Sequence, residues 1–277
     1  MYRKLAAKAR RRASVDDSRR DSGLLVNRSL AIETLGFESL SVDGPGPRRM
    51  DSVEREILEG QIRVLCHLCV ACWRLGDADE AVGWQEEAMD LETKVFGRES
   101  DQVATSLLTI ARIHNDVGKL PEALQGYETA LAVLKRLHRG PKHPRVALTL
   151  NNIGVIYSKQ GQSLKGDSAR QLYQLALLMH EEALDIYRCT IGGETSDVAD
   201  TLFNMAVCRD RMGDRLVALD NAEEAVRIYV ATGAGHSVAR TVQATVLVDR
   251  IQAAAGKEAL MSADRGALCT VPENDIR

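Results

Sequence analysis

From about Ser52 onward, apolar residues recur at steps of three and four with polar residues between them, the spacing of a helix that buries one face. VALTLNNIGVIYSKQG, residues 146–161, is one such stretch, with Leu150, Ile153, Gly154 and Tyr157 sharing a face. The interruptions are regular. Gly76, Gly118, Gly161, Gly213 and Gly256 each close an apolar-periodic run, at spacings of 42, 43, 52 and 43 residues. Glycine is suited to such a stop because it takes the left-handed conformation without a Cβ clash.

Two further markers keep the same register. Ala81, Ala123, Ala176 and Ala218 each precede another alanine by seven residues: Ala88, Ala130, Ala183 and Ala225. DQVATSLLTIA, PRVALTLNNIG and DVADTLFNMA align at Val103, Val146 and Val198, and SVARTVQATVL is a weaker copy at Val238. The chain is therefore a repeat array in which each unit is helix, turn, helix. Asp77 with Glu80 suits a capping box, Pro121 suits a first turn, and Asp214 suits a cap. The 52-residue spacing holds a ten-residue insertion near QSLKGDSARQ (162–171), and the unbroken periodicity after it predicts a longer second helix behind a short loop. Neither helix of a unit can bury its stripe alone, so the units must stack.

These positions resemble the tetratricopeptide repeat in its 42-residue form. Leu107, Ile110, Ala111, His114, Ala123, Tyr127 and Ala130 occupy its signature positions in the second unit. Leu150, Ile153, Gly154, Tyr157, Ala176, His180 and Ala183 do so in the third, and Leu202, Met205, Ala206, Ala218, Ala222 and Ala225 in the fourth. The first is looser, with Leu65, Leu68, Cys69, Ala81, Gln85 and Ala88. HPRVALTLNNIGVIYSKQG is similar in particular to the repeats of kinesin light chains. The long heptad coiled coil that precedes the repeats in that family has no counterpart in the first 50 residues, so the motor role is not carried over. The resemblance implies an all-α, right-handed superhelical solenoid. Its array spans 51–260, with repeats at about 57–97, 98–140, 141–192 and 193–235 and a partial capping repeat at 236–260. A basic arm (1–50), hinged at GPGPRRM, precedes it, and a tail (261–277) follows.

Asn151 and Asn152 stand out as two amides inside an apolar helix. Asn151 is turned by about 100° from the packing face. It is read onto the row that faces the groove, with Val155 and Ser158. The resemblance implies that asparagines there contact the backbone of a bound peptide, and an amide both donates and accepts. Asn152 and its counterpart Asn204 stand open between that role and packing. Arg63, Cys66 and Trp73, Leu108, Arg112 and Asn115, Lys159, and Phe203, Val207, Asp210 and Arg211 share these rows. The set lacks the Lys/Asn combination that captures a C-terminal carboxylate in chaperone-binding relatives.

Composition narrows the function class. Apolar residues make up 45%, charged 27% and aromatic 4%, a mix that favours an all-helical core. Residues 1–50 carry eleven Lys/Arg and six Asp/Glu, whereas 51–277 carry 25 and 33. A mildly acidic body argues against nucleic acid as partner. The basic head reads as a regulatory arm or, alternatively, a mitochondrial transit segment, and RRAS (11–14) has basophilic-kinase spacing around Ser14. No apolar run reaches the roughly 18 residues of a membrane span. Cys66, Cys69, Cys72, Cys189, Cys208 and Cys269 form no secreted framework, which points to a reducing cytoplasm.

Catalytic chemistry finds no support. CHLCVAC (66–72) puts three thiols near one helical stripe, but Cys69 and Cys72 hold packing positions, so core is the expectation rather than metal. Phosphate-loop, dinucleotide, zincin and nucleophile-elbow motifs are absent. Glu86–Glu87, Glu181–Glu182 and Glu223–Glu224 recur in phase with the repeat and read as a solvated face. The sequence thus predicts a non-enzymatic adaptor without cofactor, binding a protein or peptide rather than a small molecule. The alternative is a structural subunit that binds through its outer face and the insertion.

Overall fold

A computed structural model describes residues 50–233 and 237–268, with backbone alone at 237 and from 255 on. The expectations placed on the arm and Ser14 and on Cys269 lie outside the described residues. The described residues form nine helices and no strand. They are α1 (Ser52–Arg74), α2 (Ala78–Phe96), α3 (Asp101–Asp116), α4 (Leu120–Leu137), α5 (Pro144–Gln162), α6 (Gly166–Thr190), α7 (Ser196–Met212), α8 (Arg215–Thr232) and α9 (Ser237–Leu268). Successive pairs, α1/α2 to α7/α8, are four hairpins, and each helix packs on its neighbours in the chain. First helices also meet across one repeat, α5 with α7 and α7 with α9. The architecture is a helical-repeat solenoid in which each unit touches only its neighbours.

The alanine markers are where helices meet. All eight are 0% exposed. With nothing beyond Cβ, they let helix axes approach to the lower end of the usual 8–10 Å. Tyr127, Tyr187, Ile153, Ile156 and Leu202 fill the space between.

The helix ends follow local chemistry. Asp77 accepts from the Glu80 amide, and Pro121 lies in the first turn of α4. Asp51, Ser100 and Thr195 also cap their helices with side-chain oxygens. Asp214 differs from expectation, since its side chain makes no capping bond. Gly76, Gly118 and Gly213 sit at φ of 86°, 80° and 91° between paired helices. Gly161 and Gly256 do not end helices. α5 runs on to Gln162, with Gly161 buried where a Cβ would meet the Tyr173 ring at 3.2 Å. α9 continues through Gly256 to Leu268. The insertion lengthens α6, which at 25 residues starts directly after a short loop, residues 163–165.

Val238 departs from its counterparts. Val103, Val146 and Val198 are buried, but Val238 is 69% exposed, and among the described residues no second helix returns against α9.

Candidate functional site

The rows singled out in the sequence lie along α1, α3, α5 and α7, and the structure ties them together one repeat at a time. The Arg112 guanidinium lies over the Trp73 ring, 4.5 Å from its centroid, joining α3 to α1. Lys159 donates to Asn115 Oδ1 at 2.7 Å, joining α5 to α3. Asn204 Nδ2 donates to Asn151 Oδ1 at 3.3 Å, joining α7 to α5. Arg250 donates to Asp210 at 2.7 Å, joining α9 to α7. Arg63, Arg112 and Arg211 are exposed, and Trp73, Leu108, Asn115, Asn152, Val155, Lys159, Phe203, Asn204 and Val207 are half-buried. Phe203 and Val207 pack against the cluster of Ala206, Ala218, Ala222, Leu247 and Ile251, so only part of each faces outward.

Asn151 departs from the open-groove placement. It is 8% exposed, and its carbonyl oxygen lies 2.7 Å from Nδ1 of His180 on α6. A carbonyl oxygen only accepts, so Nδ1 of His180 carries the proton and Asn151 receives two hydrogen bonds, from His180 and Asn204. This pairing lets an amide sit inside the junction of repeats three and four, where an unpaired one would cost about 1–3 kcal/mol. Ser158, on the same row, is 9% exposed and hydrogen-bonds the Cys208 thiol. Asn151 and Ser158 are thus turned into the stack, while Asn152 remains beside them, half-buried.

His180 is the residue that sequence reasoning missed as a polar centre, having placed it only as the large group of its repeat. Its ring is 0% exposed, and burial pushes its pKa down to about 3. Nε2 has no hydrogen-bond partner among the described residues. The ring lies against the α5 backbone, where a Cβ on Gly154 would meet it at 2.6 Å. The available signal was glycine at the small position of the first helix together with histidine at the large position of the second.

A second polar junction lies between repeats one and two. Gln85 of α2 donates to Ser106 of α3 at 2.7 Å, and Ser106 donates to the Glu92 carboxylate at 2.6 Å. Gln85, Ser106 and Glu92 are all buried. Burial raises the Glu92 pKa above the usual carboxylate range, and the Ser106 hydroxyl opposes that shift.

The cysteine run belongs to repeat-one packing. Cys69 is 0% exposed against Ala81 and Ile113, and burial pushes its thiol up to about 11. Cys66 receives a long hydrogen bond from Gln85, at 3.8 Å. No group of three His, Cys, Asp or Glu among the described residues is placed to hold a metal ion. No helix among them is long and apolar enough to cross a membrane. The glutamate pairs recur on second helices, where Glu181 binds Arg209 and Glu224 binds Arg188.

A tetratricopeptide-repeat family model matches residues 60–136 and 104–165, and a second matches 146–188. The chain carries tetratricopeptide repeats. This repeat is generally a non-enzymatic scaffold for protein–protein interaction. BtubC (BKLC) from P. vanneervenii is similar to the tetratricopeptide array, with a TM-score of 0.54 and 28% identity over 67% of each chain. A Podosopora anserina protein named for kinesin light chain, with nearly identical TPR-like repeats, matches at a TM-score of 0.51 and 19% identity. That match covers 79% of this chain and 99% of the other. The structural neighbours of the array are thus kinesin-light-chain-like repeat proteins. No curated protein matches the chain.

Proposed function

We propose that the array is a non-enzymatic adaptor that holds an extended segment of a protein partner along the face of its first helices. The observation that carries this reading is the row itself. Four successive first helices and α9 are joined by Trp73–Arg112, Asn115–Lys159, Asn151–Asn204 and Asp210–Arg250. Such pairs fix side-chain rotamers in advance, which lowers the ordering cost of binding. Asn204 uses its Nδ2 within the stack, so its carbonyl is the group offered to a peptide N–H. Asn152, Val155, Phe203, Arg112 and Arg211 add amide, apolar, aromatic and cationic contacts. Asn151 acts through Asn204, by holding it in place. No small molecule, nucleic acid or cofactor enters this reading. Thiols at Cys66, Cys69, Cys72, Cys189 and Cys208 suit a reducing compartment, and we assign the cytoplasm.

Affinity capture from cell extract, quantified by mass spectrometry, tests the reading with Arg112→Ala/Asn152→Ala/Arg211→Ala, circular dichroism confirming an intact fold. Selective loss of one or a few partners is expected. An unchanged partner list would remove the groove as the working surface.

A second reading rests on the outer face of α6 and the insertion at 162–171 that leads into it. α6 exposes Leu175 and Leu178, at 39% and 56%, and Leu164 is exposed in the loop before it. A structural subunit would use this outer face, and Leu175→Ser/Leu178→Ser would then lose partners that the groove variant keeps.

A further inference from the structure

The first helix of every later repeat buries one face against the second helix of the repeat before it, and among the described residues α1 carries that same face uncovered. Aligned on Leu65, Leu107, Leu150 and Leu202, the residue one step earlier is Val64, Ser106, Thr149 or Thr201. Ser106, Thr149 and Thr201 are 0–1% exposed, whereas Val64 is 53% exposed. Six residues after the reference leucine lie Ala71, Ile113, Ile156 and Cys208. The last three are 0% exposed, and Ala71 is exposed. Ser106 shows what covers the face elsewhere, since it bonds Gln85 and Glu92 of the preceding second helix. On α1 the uncovered stripe extends toward the N-terminus through Ile57 and Val53, which share Val64's side of the helix and are 56% and 63% exposed. Valine and isoleucine at these positions are suited to burial.

The chain before α1 matches what the face lacks. Forty-nine residues precede the described part and lead directly to the α1 cap at Asp51. Within them LLVNRSLAIETLGFESLSV, residues 24–42, is the apolar stretch, with Leu24, Leu25, Leu30, Ile32, Leu35 and Phe37 against three charges. Its 19 residues equal the length of α2. The arginine-rich residues lie outside it, before Asp21 and at 48–49. The intervening residues 43–50 hold Gly44, Pro45, Gly46 and Pro47, a sequence that turns the chain. That linker is of the same order as the connections from a second helix to the next first helix, residues 97–100, 138–143 and 191–195. We infer that residues 24–42 dock on the Val53–Ile57–Val64–Ala71 face of α1 and take the place of the missing preceding second helix. The segment thereby closes the open end of the array, independently of what the groove binds.

Hydrogen exchange of the full 277-residue chain, read by mass spectrometry at two protein concentrations with sedimentation alongside, tests this. In a monomer, residues 24–42 should exchange at least about tenfold slower than an unstructured chain, at both concentrations. Val64→Glu, at a site open to solvent in the array itself, should abolish that protection and leave the helicity of the array unchanged. Should Val64→Glu lower the helicity, Ile57→Glu carries the same reading from a site equally open. Exchange of 24–42 at the unprotected rate would overturn the inference, as would protection that the glutamate leaves intact. So would protection of 53–71 that grows with concentration as a dimer forms, which would give the face to a second copy.

Discussion

The junction of repeats one and two and the junction of repeats three and four solve one problem with opposite charge logic. The first buries polar groups between a second helix and the next first helix, and the second joins α5 to α6 of its own hairpin and to α7 of the next repeat. Gln85, Ser106 and Glu92 form one chain, and His180, Asn151 and Asn204 form the other. The first holds a carboxylate whose burial favours its protonated form. The second holds an imidazole whose burial favours its deprotonated form, with a pKa of about 3. Acid therefore acts on them in opposite senses. For His180 the folded pKa lies below the ordinary 6.5, so its stabilising contribution is complete above pH 6.5 and is lost as pH falls from there toward 3. For Glu92 the folded pKa lies above the ordinary 4.5, so stability rises as pH falls through the interval between the two values. The junction of repeats two and three carries neither device. Thr149, at the position of Ser106, returns its hydroxyl to the Arg145 carbonyl of its own helix. Polar contacts at matching positions are thus set by local partners rather than by the repeat.

The largest expected effect breaks the second junction sterically. Gly154→Ala puts a methyl 2.6 Å from the His180 ring and should cost about 3 kcal/mol, read as a lower urea midpoint. Adding His180→Ala should recover part of that loss, because the two sites share one space. Next comes pH. Between pH 7 and pH 5 this same junction should lose about 2 kcal/mol, at 1.36 kcal/mol per pH unit below 6.5. Site-resolved hydrogen exchange should show α5 to α7 opening more often while α2 and α3 do not, and His180→Leu should remove the difference. Trp73 and Trp84, the only tryptophans, both lie in repeat one, so their fluorescence should change after the circular dichroism signal on acid titration. Ser106→Ala sharpens the first junction. It should cost about 1.5 kcal/mol and raise the Glu92 pKa further, visible in an NMR titration of the carboxyl. The smallest effect is Arg112→Ala, about 0.5 kcal/mol, with a shift in Trp73 emission as the cation leaves the ring.

The repeat was legible because it is a packing constraint written many times. Eight alanines recur at fixed spacing, and every one is fully buried. The glycine stops were legible where they take positive φ, at Gly76, Gly118 and Gly213. They failed at Gly161, where glycine serves the approach of Tyr173 rather than a turn. Asn151 was legible as an anomaly and not as an answer. Its partner lies 29 residues on in another helix, at a position that holds Gln85, Tyr127 and Ala222 in the other repeats, so no periodicity announces the hydrogen bond. The pairs along the first-helix face were invisible for the same reason, since they join residues about one repeat apart whose types follow no rule. What a partner would contact on that face is a matter of chemistry outside the chain.

Gly154 has a mirror image in the repeat before it. In repeat two the glycine lies on the second helix, as Gly126, where a Cβ would strike Ala111 at 2.9 Å. In repeat three it lies on the first helix, and Met179 stands at the place of Gly126. Each hairpin gives up one methyl at the crossing, from opposite sides, repeat two to clear Ala111 and repeat three to seat the His180 ring. The repeats therefore look interchangeable without being modules that recombine. A hybrid of α3 with α6 would have no glycine at the crossing, and a hybrid of α5 with α4 would have two. Duplication could have copied these hairpins whole, but shuffling single helices among them would leave either a collision or a void.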